Sequence, residues 1–373
     1  MKNMKEGWVV KKFEDCIDKI PKPKQLKTTD YKSEGLHPIV SQEACLISGY
    51  SDCDDFLYKV ENPVIVFGDH TRVLKHIDFD FIVGADGVKI LIPIEDIDSK
   101  FFYYYLTWYN IPSLGYSRHY KLLKELVIPI PPLSLQSRIV SELDGIHSII
   151  EKKREQLKEL DALAQSIFYD MFGDPIQNEK GWEVKKIKEI SIVKIGPFGS
   201  LLHTSDYISG GIPLVNPVHM QDEKICPDME FTVSSDKLNE LQNYVLHTDD
   251  IIFARRGDIG RCALVCKNDD GYLCGTGSLF VRFQTEIDSV YFIKMMRTNS
   301  MIERLTSFAK GATMLNINCK IIEDFPIPLP PLSLQQSFAT KIEAIEKQKE
   351  LIKQSIAEVE TLLASRMQFY FDA

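Results

Sequence analysis

Three arginines lie close together in the segment Arg255-Arg256-Gly257-Asp258-Ile259-Gly260-Arg261, between two runs of β-forming residues. An arginine side chain can donate paired hydrogen bonds to a phosphate group or to the O6 and N7 atoms of guanine. The two glycines favour a turn, so the three cationic side chains are expected to lie around one loop. This chemistry suits contact with nucleic acid. An ordinary polar surface turn is the alternative.

Other loops rich in glycine and polar residues carry further donors that could reach base edges or phosphates. The segment 68 to 72 holds the corresponding place in the first half of the chain, and 117 to 121 and 310 to 314 both precede a proline-rich strand. For each of these loops, a plain surface turn remains the alternative. The candidate DNA-contacting residues are Lys22, Lys24, Lys27, His70, Thr71, Arg72, Arg118, His119, Lys121, Ser200, His203, Asn216, His219, Arg255, Arg256, Arg261, Lys310 and Thr313.

No residue pattern predicts catalysis by this chain. A base-flipping methyltransferase would carry an Asn/Asp-Pro-Pro-aromatic motif, and both Asn62-Pro63 and Asn216-Pro217 are followed by valine. Gly275 and Gly277 follow a predicted strand, but the third glycine of a cofactor loop is missing. No endonuclease carboxylate cluster is evident. We therefore expect no catalytic residue and no cofactor bound by this chain.

The eight cysteines favour reduced thiols over a disulfide framework. Cys262, Cys266 and Cys274 form the nearest approach to a metal pattern, but they lack a C-x-x-C pair. Buried apolar cysteines are favoured over a zinc site, so no metal site is predicted.

Composition predicts a soluble chain of two or three domains. The 373 residues are 44% hydrophobic and 26% charged, and no run approaches the ~18 to 20 apolar residues needed to cross a bilayer. No signal-peptide hydrophobic region forms near the start, so the expected location is cytoplasmic. The net charge of -9 opposes tight DNA binding by the chain alone, because Lys and Arg supply much of such affinity. Local basic patches or a basic partner could compensate.

An internal repeat organises the chain. Pro131-Pro132-Leu133-Ser134-Leu135-Gln136 returns as Pro330-Pro331-Leu332-Ser333-Leu334-Gln335, and the register holds without a gap to the end. Further upstream, Gly7-Trp8 returns as Gly181-Trp182 at a different offset. Each copy thus has a similar start and a similar tail around a diverged interior. The predicted division is module one at 1 to 130, helix one at 131 to 174, module two at 175 to 329 and helix two at 330 to 373.

Both tails have the apolar spacing of a coiled-coil seam, with steps of three and four residues. Ser134 and Ser333 are predicted N-caps, and each helix is expected to run for roughly 38 residues. Packing of the two helices against each other in antiparallel fashion is favoured, with pairing to a second subunit as the alternative. The seam residues are Ile139, Leu143, Ile146, Ile150, Leu157, Leu160, Ile167, Phe338, Ile342, Ile345, Ile352, Ile356, Val359 and Leu363.

Both modules alternate short β-rich runs with turns and are predicted as mixed α/β units of common ancestry. Strands are expected at residues 62 to 68, 79 to 84 and 87 to 93 in module one, and at 250 to 254 and 278 to 283 in module two. The fold class is α+β: two mixed α/β modules separated by two long helices that form an antiparallel coiled coil, with a pseudo-two-fold internal repeat.

This arrangement resembles the specificity (S) subunit of type I restriction-modification systems over almost the full chain. The Pro-Pro-Leu-Ser-Leu-Gln entry to each helix, the Gly-Trp openings, residues 252 to 261 and residues 67 to 72 are similar to patterns of that family. The resemblance implies two target-recognition domains that read the two halves of a bipartite double-stranded DNA target. It also implies that the helices act as a ruler and dock the partner subunits.

The implied partners are two adenine methyltransferase (M) subunits that use S-adenosylmethionine, and restriction (R) subunits that use ATP and Mg. No membrane is involved, and the chain itself is expected to be a non-catalytic subunit. One alternative is the specificity subunit of a methylation-only or type IIB-like system. A coiled-coil scaffold without a DNA role is a different alternative, but it leaves the diverged, loop-rich modules unexplained.

Overall fold

A computed structural model describes residues 7–21, 23–85, 87–115, 117–309 and 316–372. The candidates Lys22, Lys310 and Thr313 therefore lie outside the described residues. The chain divides into two compact units, one formed by Met1–Glu155 with Lys353–Ala373 and the other by Gln156–Ile352. Each unit contains one globular module and a segment of each long helix. This division by contacts differs from the predicted division in chain order, because both long helices are shared between units.

The described residues of module one form short strands, two short α-helices and the start of the first long helix. Its elements are β1 Val9–Lys12, β2 His37–Val40, β3 Gly49–Ser51, β4 Leu57–Tyr58, β5 Val64–Gly68, β6 Leu74–Ile77, β7 Phe81–Val83, β8 Val88–Leu91, α1 Ser99–Tyr109, α2 Tyr120–Lys124, β9 Val127–Ile130 and α3 Leu133–Phe172. The strands predicted in this module coincide with β5, β7 and β8.

Module two has more elements but a similar order of strands. They are β10 Glu183–Lys186, β11 Ser191–Ile195, β12 Tyr207–Ile208, β13 Ile212–Val215, β14 Met220–Gln221, β15 Lys224–Ile225, β16 Thr232–Val233, α4 Ser235–Glu240, β17 Ile251–Ala254, β18 Cys262–Leu264, β19 Leu273–Cys274, β20 Ser278–Phe283, α5 Ser289–Met296, α6 Asn299–Phe308, α7 Cys319–Glu323, β21 Pro326–Leu329 and α8 Leu332–Phe371. The mixture of strands and helices confirms the α+β class.

The sheets of the two modules share a pairing scheme. In module one β2 runs parallel to β7, while β5 pairs antiparallel with both β6 and β8. In module two β13 runs parallel to β19, while β17 pairs antiparallel with both β18 and β20. Strand β17 is buried throughout, as expected for a central strand that is covered on both faces.

A two-stranded ribbon brings the ends of each module together. Strand β1 pairs antiparallel with β9, so that Val9 faces Ile130. Strand β10 pairs in the same way with β21, so that Glu183 faces Leu329. Each ribbon directly precedes a long helix. The Gly-Trp segment and the proline-rich segment, which are far apart in sequence, are therefore neighbours within each module.

Glutamine side chains fix the start of both long helices. The Gln136 amide accepts a hydrogen bond from the Asp98 N–H at 2.8 Å and donates to the Pro131 carbonyl at 2.8 Å. Gln335 makes the same two contacts, with the Asp288 N–H and the Pro330 carbonyl. Both glutamines are buried. Asp98 and Asp288 in turn cap helices α1 and α5. One buried amide thus joins two helix starts in each module.

The predicted N-caps Ser134 and Ser333 are wrong. Helices α3 and α8 begin at Leu133 and Leu332, so each serine is the second residue of its helix. The prolines just before each helix supply carbonyl groups to its first turn, with Leu135 N–H donating to the Pro132 carbonyl at 2.8 Å. A serine cap is therefore not needed there.

Within unit one, the beginning of α3 and the end of α8 run in opposite directions. Arg366 and Tyr370 both donate hydrogen bonds to the Glu142 carboxylate. Further along, Arg154 bonds Glu360 at 2.8 Å. Phe371, the last residue of α8, packs edge-on against Phe101 of α1 with ring centroids 5.7 Å apart. The end of α8 is thereby part of the module-one core.

Within unit two, the end of α3 packs against the beginning of α8. Phe168 lies 5.6 Å from Phe338 between ring centroids, and Phe172 lies 4.7 Å from Tyr291 of α5. Lys349 forms an ion pair with Asp161 at 2.7 Å. These contacts join both helix segments to the main core of module two.

The seam residues are buried to different degrees. Buried ones are Ile139, Leu143, Ile146, Ile150, Phe338, Ile342 and Ile345. Half-buried ones are Leu157, Leu160, Ile167, Ile352, Ile356, Val359 and Leu363. Near the ends of the helices, Phe168, Phe172 and Met367, which were not predicted as seam residues, are also buried. No helix in the described part of the chain is both long and apolar enough to span a membrane.

Candidate nucleic-acid interface

Four loops of module two meet at one edge because of how its strands pair. The ends of β11 and β17 both lie beside the start of β20, with Ile195 and Phe253 opposite Leu279. Strands β13 and β19 are parallel, so they also end side by side. We call the segments that follow these strands, residues 196 to 203, 216 to 219, 255 to 261 and 275 to 277, the loop edge of module two.

Direct contacts hold these loops together. The Thr276 hydroxyl donates to the Pro197 carbonyl at 2.8 Å, and the Gly277 N–H donates to the Asn216 side chain at 3.3 Å. Gly196 lies so close to the Gly275 carbonyl that a Cβ atom would have no space. The loop edge is therefore a connected surface. Asn216 serves this connection, which leaves less of its amide for an outside partner.

The three arginines of the 255 to 261 loop occupy different environments. Arg255 is half-buried and donates to the carbonyls of Ile317 at 3.4 Å and Thr276 at 3.3 Å. Burial, with the adjacent Arg256 charge, lowers its pKa. Arg261 is bonded to Asp258 at 3.1 Å and to the Pro217 carbonyl at 3.3 Å. Arg256 is exposed, and among the described residues its side chain makes no hydrogen bond or ion pair. It is the arginine most available to a ligand.

The remaining candidate residues of module two differ in how exposed their side chains are. Ser200 and His203 are exposed on the first loop. His219 is buried, and its Nδ1 atom lies 2.8 Å from the Leu214 carbonyl and 3.2 Å from the Asn216 N–H. His219 thus shapes the turn after β13, and its ring is not accessible to DNA in this structure.

Module one forms an equivalent edge. The pairs Val40 with Val83 and Gly68 with Val88 bring together the end of β2, the β5–β6 turn and the β7–β8 turn. The chain also runs beside β8 from Asp18, whose N–H donates to the Ile92 carbonyl. We call residues 20, 21, 23, 24, 41 to 48, 68 to 72, 84, 85 and 87 the loop edge of module one.

Gln42 links the loops of this edge. Its carbonyl accepts a hydrogen bond from the Thr71 hydroxyl at 2.5 Å, and its side-chain oxygen lies 3.4 Å from the His70 N–H. Gly87 has no space for a Cβ because Gln42 and His70 lie against it. Gln42 was not a sequence candidate. The similarity of residues 37 to 40 to residues 212 to 215, which precede Asn216, was a usable signal for this site.

Arg72 and His119 are tied into module one. Arg72 has a left-handed backbone with φ of 64° and donates to the Ile111 carbonyl at 2.9 Å. His119 is buried, its Nδ1 lies 2.9 Å from the Asp69 carbonyl, and its Nε2 accepts from the Leu114 N–H at 2.9 Å. Both ring nitrogens of His119 are therefore used inside the protein, and the ring does not reach the surface.

Among the described candidates of module one, four cationic residues have exposed side chains: Lys24, Lys27, Arg118 and Lys121. Lys24 lies 5.9 Å from the ring centroid of Phe56. Arg118 precedes His119, whose N–H donates to the Asp69 carbonyl of the 68 to 72 loop. This bond holds the segment that carries Arg118 and Lys121 next to the loop edge of module one.

Among the described residues there is no group of three His, Cys, Asp or Glu side chains that could hold a metal ion. Cys262 and Cys274 are buried, whereas Cys266 is exposed. Burial raises the pKa of the Cys262 and Cys274 thiols, which disfavours the thiolate form that a metal requires.

A family model described as the type I restriction modification DNA specificity domain matches residues 5–161 and 179–361. The two matches cover most of the chain and correspond to its two halves. The chain therefore belongs to the type I restriction-modification DNA specificity family, and it is a specificity subunit with two such domains. The resemblance predicted from the sequence is confirmed.

Two curated relatives support this assignment. The chain is 21% identical to the type I restriction enzyme MjaVIII specificity subunit of Methanocaldococcus jannaschii, over 96% of this chain and 92% of that protein. It is 26% identical to the EcoR124I/EcoR124II specificity subunit of Escherichia coli, over 52% of this chain and 51% of that protein.

Solved structures share the fold. The S subunit of a type I restriction-modification system from M. genitalium aligns with a TM-score of 0.56 and 16% identity, covering 100% of this chain and 97% of that one. A chain from a study of complex assembly and conformational transition of the type I R-M system aligns with a TM-score of 0.60 and 14% identity, covering 99% and 98% of the two chains.

Proposed function

We propose that each module reads one half of a bipartite, asymmetric double-stranded DNA target through its loop edge. The observation that carries this proposal is the gathering of polar loops at one edge of each module, with exposed cationic side chains such as Arg256 and Lys24. Arginine and lysine there can bind guanine or phosphate. His119 and His219 are left out of the contact set because they are buried.

The long helices are proposed to form an antiparallel coiled coil that relates two copies of one repeat and sets the distance between the half-sites. Support comes from each unit separately. In unit one, Glu142 near the start of α3 pairs with Arg366 near the end of α8. In unit two, Asp161 in the second half of α3 pairs with Lys349 in the first half of α8. Pairing with a second subunit is less favoured, since Ile139 and Phe338 are already fully buried within this chain.

Catalysis is proposed to reside in partner subunits. These are two adenine methyltransferase subunits, which bind S-adenosylmethionine, and restriction subunits, which use ATP and Mg. A net charge of -9 fits a subunit that binds DNA weakly alone and tightly within a complex that supplies positive charge. This setting implies a cytoplasmic protein. A scaffold without a DNA role does not fit a chain with two DNA specificity domains.

Single-molecule methylome sequencing tests the proposal. Deletion of the gene is expected to abolish one bipartite adenine-methylation motif in the host genome, and complementation with the intact gene should restore it. An unchanged methylome after deletion would count against the proposal. The purified complex distinguishes a methylation-only or type IIB-like system. Cleavage of unmethylated target DNA should depend on ATP only in a type I complex with restriction subunits.

A further inference from the structure

Three large apolar side chains are exposed on the loop edge of module two: Phe198, Leu201 and Val218, of which Leu201 is the least exposed, at 41%. Phe198 is 61% exposed and Val218 is 69% exposed. Each belongs to a different loop of that edge, after β11 and after β13. Burying a side chain of this size from water is favourable. Both residues therefore leave a favourable interaction unmade in the isolated chain, next to the surface that carries Arg256.

The position of Phe198 is fixed by the residues before it. Gly196 is packed against the Gly275 carbonyl, and the Pro197 carbonyl accepts the Thr276 hydroxyl. Gly196 and Pro197 are both buried, whereas Phe198 is not. Gly199 then adopts φ of 64°, a conformation that favours glycine. The chain thus projects the Phe198 ring from a fixed base.

Val218 is held next to the same strand connection. Pro217 packs against Gly277, and its carbonyl accepts a hydrogen bond from Arg261 at 3.3 Å. Thr276, which binds the Phe198 loop, and Gly277, which contacts the Val218 loop, are consecutive residues. The two apolar side chains therefore extend from loops that are anchored at one point.

DNA offers a limited choice of apolar partners to such a surface. In the major groove, where arginine reads guanine, the apolar feature of a base edge is the C5 methyl group of thymine. We propose that Phe198 contacts a thymine methyl group in the half-site read by module two, with Val218 beside it. This inference rests on the proposed function and names a specificity-determining residue for it. Insertion of the ring between base pairs is a different mode, found where proteins kink the duplex from the minor groove.

The test uses the full complex with its methyltransferase subunits and a duplex that contains the motif found by methylome sequencing. Each thymine of the half-site assigned to module two is replaced by uracil, one at a time, which removes only the methyl group. Adenine methylation guarantees at least one thymine in the half-site, opposite the target adenine. Loss of one buried methyl group is expected to weaken wild-type binding about fourfold at one position.

The F198A variant supplies the second arm. It is expected to bind the thymine duplex more weakly and to be indifferent to uracil at the position where the wild type is sensitive. F198L, which keeps an apolar side chain, should retain part of the sensitivity. The V218A variant is compared with V184A, because Val184 is similarly exposed, at 53%, but lies on the ribbon strand β10. Only V218A is expected to weaken binding.

Three results would overturn this inference: F198A with wild-type affinity, no uracil-sensitive thymine in this half-site, or equal sensitivity of wild type and F198A to uracil. If the ring is instead inserted between base pairs, F198A should lose the same binding affinity on thymine and on uracil duplexes. It should also lose the fluorescence change that the wild-type complex produces in a 2-aminopurine probe. A wild-type complex without a bipartite motif would instead contradict the proposed function. The two failures are thus distinguishable.

Discussion

Arginine side chains in the 255 to 261 loop use their donors differently, and this difference makes single substitutions informative. Arg255 and Arg261 bond backbone carbonyls, whereas Arg256 is exposed. R256A is expected to weaken target binding by the complex by about 1 to 3 kcal/mol if Arg256 reads guanine. If it contacts a phosphate instead, all sequences should be affected alike and the salt dependence should decrease by about one unit of slope. Fluorescence anisotropy at several salt concentrations measures both.

K267A is the matched control for R256A. Lys267 is also an exposed cation of module two, and it follows β18 at the edge opposite to Arg256, where Leu264 pairs with Ile251. Both variants lose one positive charge, so a non-specific charge effect would weaken DNA binding by both. Equal binding by R256A and the wild type would remove Arg256 from the interface.

Arg118 and His119 are neighbours with opposite expected roles. H119A should destabilise module one by about 1 to 3 kcal/mol, because it removes the buried ring whose nitrogens serve the Asp69 carbonyl and the Leu114 N–H. The specified DNA motif should stay the same in molecules that remain folded. R118A should leave the thermal unfolding temperature unchanged and weaken DNA binding. A changed motif in H119A, with normal stability, would contradict the structural role.

The cluster of aromatic rings at the end of α3 is expected to dominate the stability of unit two. Phe168 is almost completely buried and lies within about 6 Å of the rings of Phe172, Phe338 and Tyr291. F168A should lower the free energy of unfolding by about 3 to 5 kcal/mol, as expected for a large cavity. L351A is the control, since Leu351 on α8 is 60% exposed. Comparable destabilisation by both variants would show that burial of Phe168 is not the cause.

Acid should weaken the helix contact in unit one. Hydrogen bonds from Arg366 and Tyr370 lower the pKa of the Glu142 carboxyl. A carboxyl with a lowered folded-state pKa stabilises the fold above its unfolded pKa of about 4.3, and this contribution is lost as pH falls through the lowered value. The effect should be small because the ion pair is partly exposed.

E142Q should therefore unfold at a slightly lower temperature than the wild type at pH 7, and the difference should shrink below about pH 4. Thermal unfolding between pH 3 and pH 7 measures it. E159Q, a change at an exposed position of the same helix, is the control and should follow the wild type throughout. A difference between E142Q and the wild type that grows in acid would contradict the proposed sign.

Sequence periodicity predicted the strands and long helices more accurately than it predicted which side chains of the long helices are buried. The predicted strand 278 to 283 coincides with β20, and the long helices end at Phe172 and Phe371, within the segments predicted for them. The seam was less accurate near the end of α3, where Phe168 is buried and Ile167 is only half-buried. A strict seam drifts around a straight helix, because 3.6 residues per turn do not match a seven-residue repeat. Packing against module two then determines which side chains at the end of α3 are buried.

The loop residues show why a site is harder to predict than a strand. His119 and Arg118 are adjacent polar residues in one loop, yet only Arg118 is exposed. That difference depends on Asp69, 50 residues away, which bonds His119 and the following N–H. Local composition carries no information on such long-range bonds. Gln42 was missed for the same reason, since its importance comes from contacts with Thr71 and His70.

For the whole molecule, the proposal that each module reads its own half-site means that one module should be exchangeable without the other. Residues 181 to 329 are closed at their base by the ribbon of β10 and β21, so an exchange at these boundaries keeps both ribbon strands in one module. Gln335 lies outside the exchanged segment and stays with the recipient chain. The exchanged module should therefore carry the aspartate equivalent to Asp288, because the Gln335 side chain accepts a hydrogen bond from its N–H and so joins α5 to the start of α8. Methylome sequencing of a host with the hybrid should then reveal a motif with one new half and one unchanged half.

The reciprocal exchange of module one, residues 1 to 130, is the matched control and should change the other half. Alteration of both halves by either exchange would refute independent reading by the two modules, even if the hybrid remains folded and active.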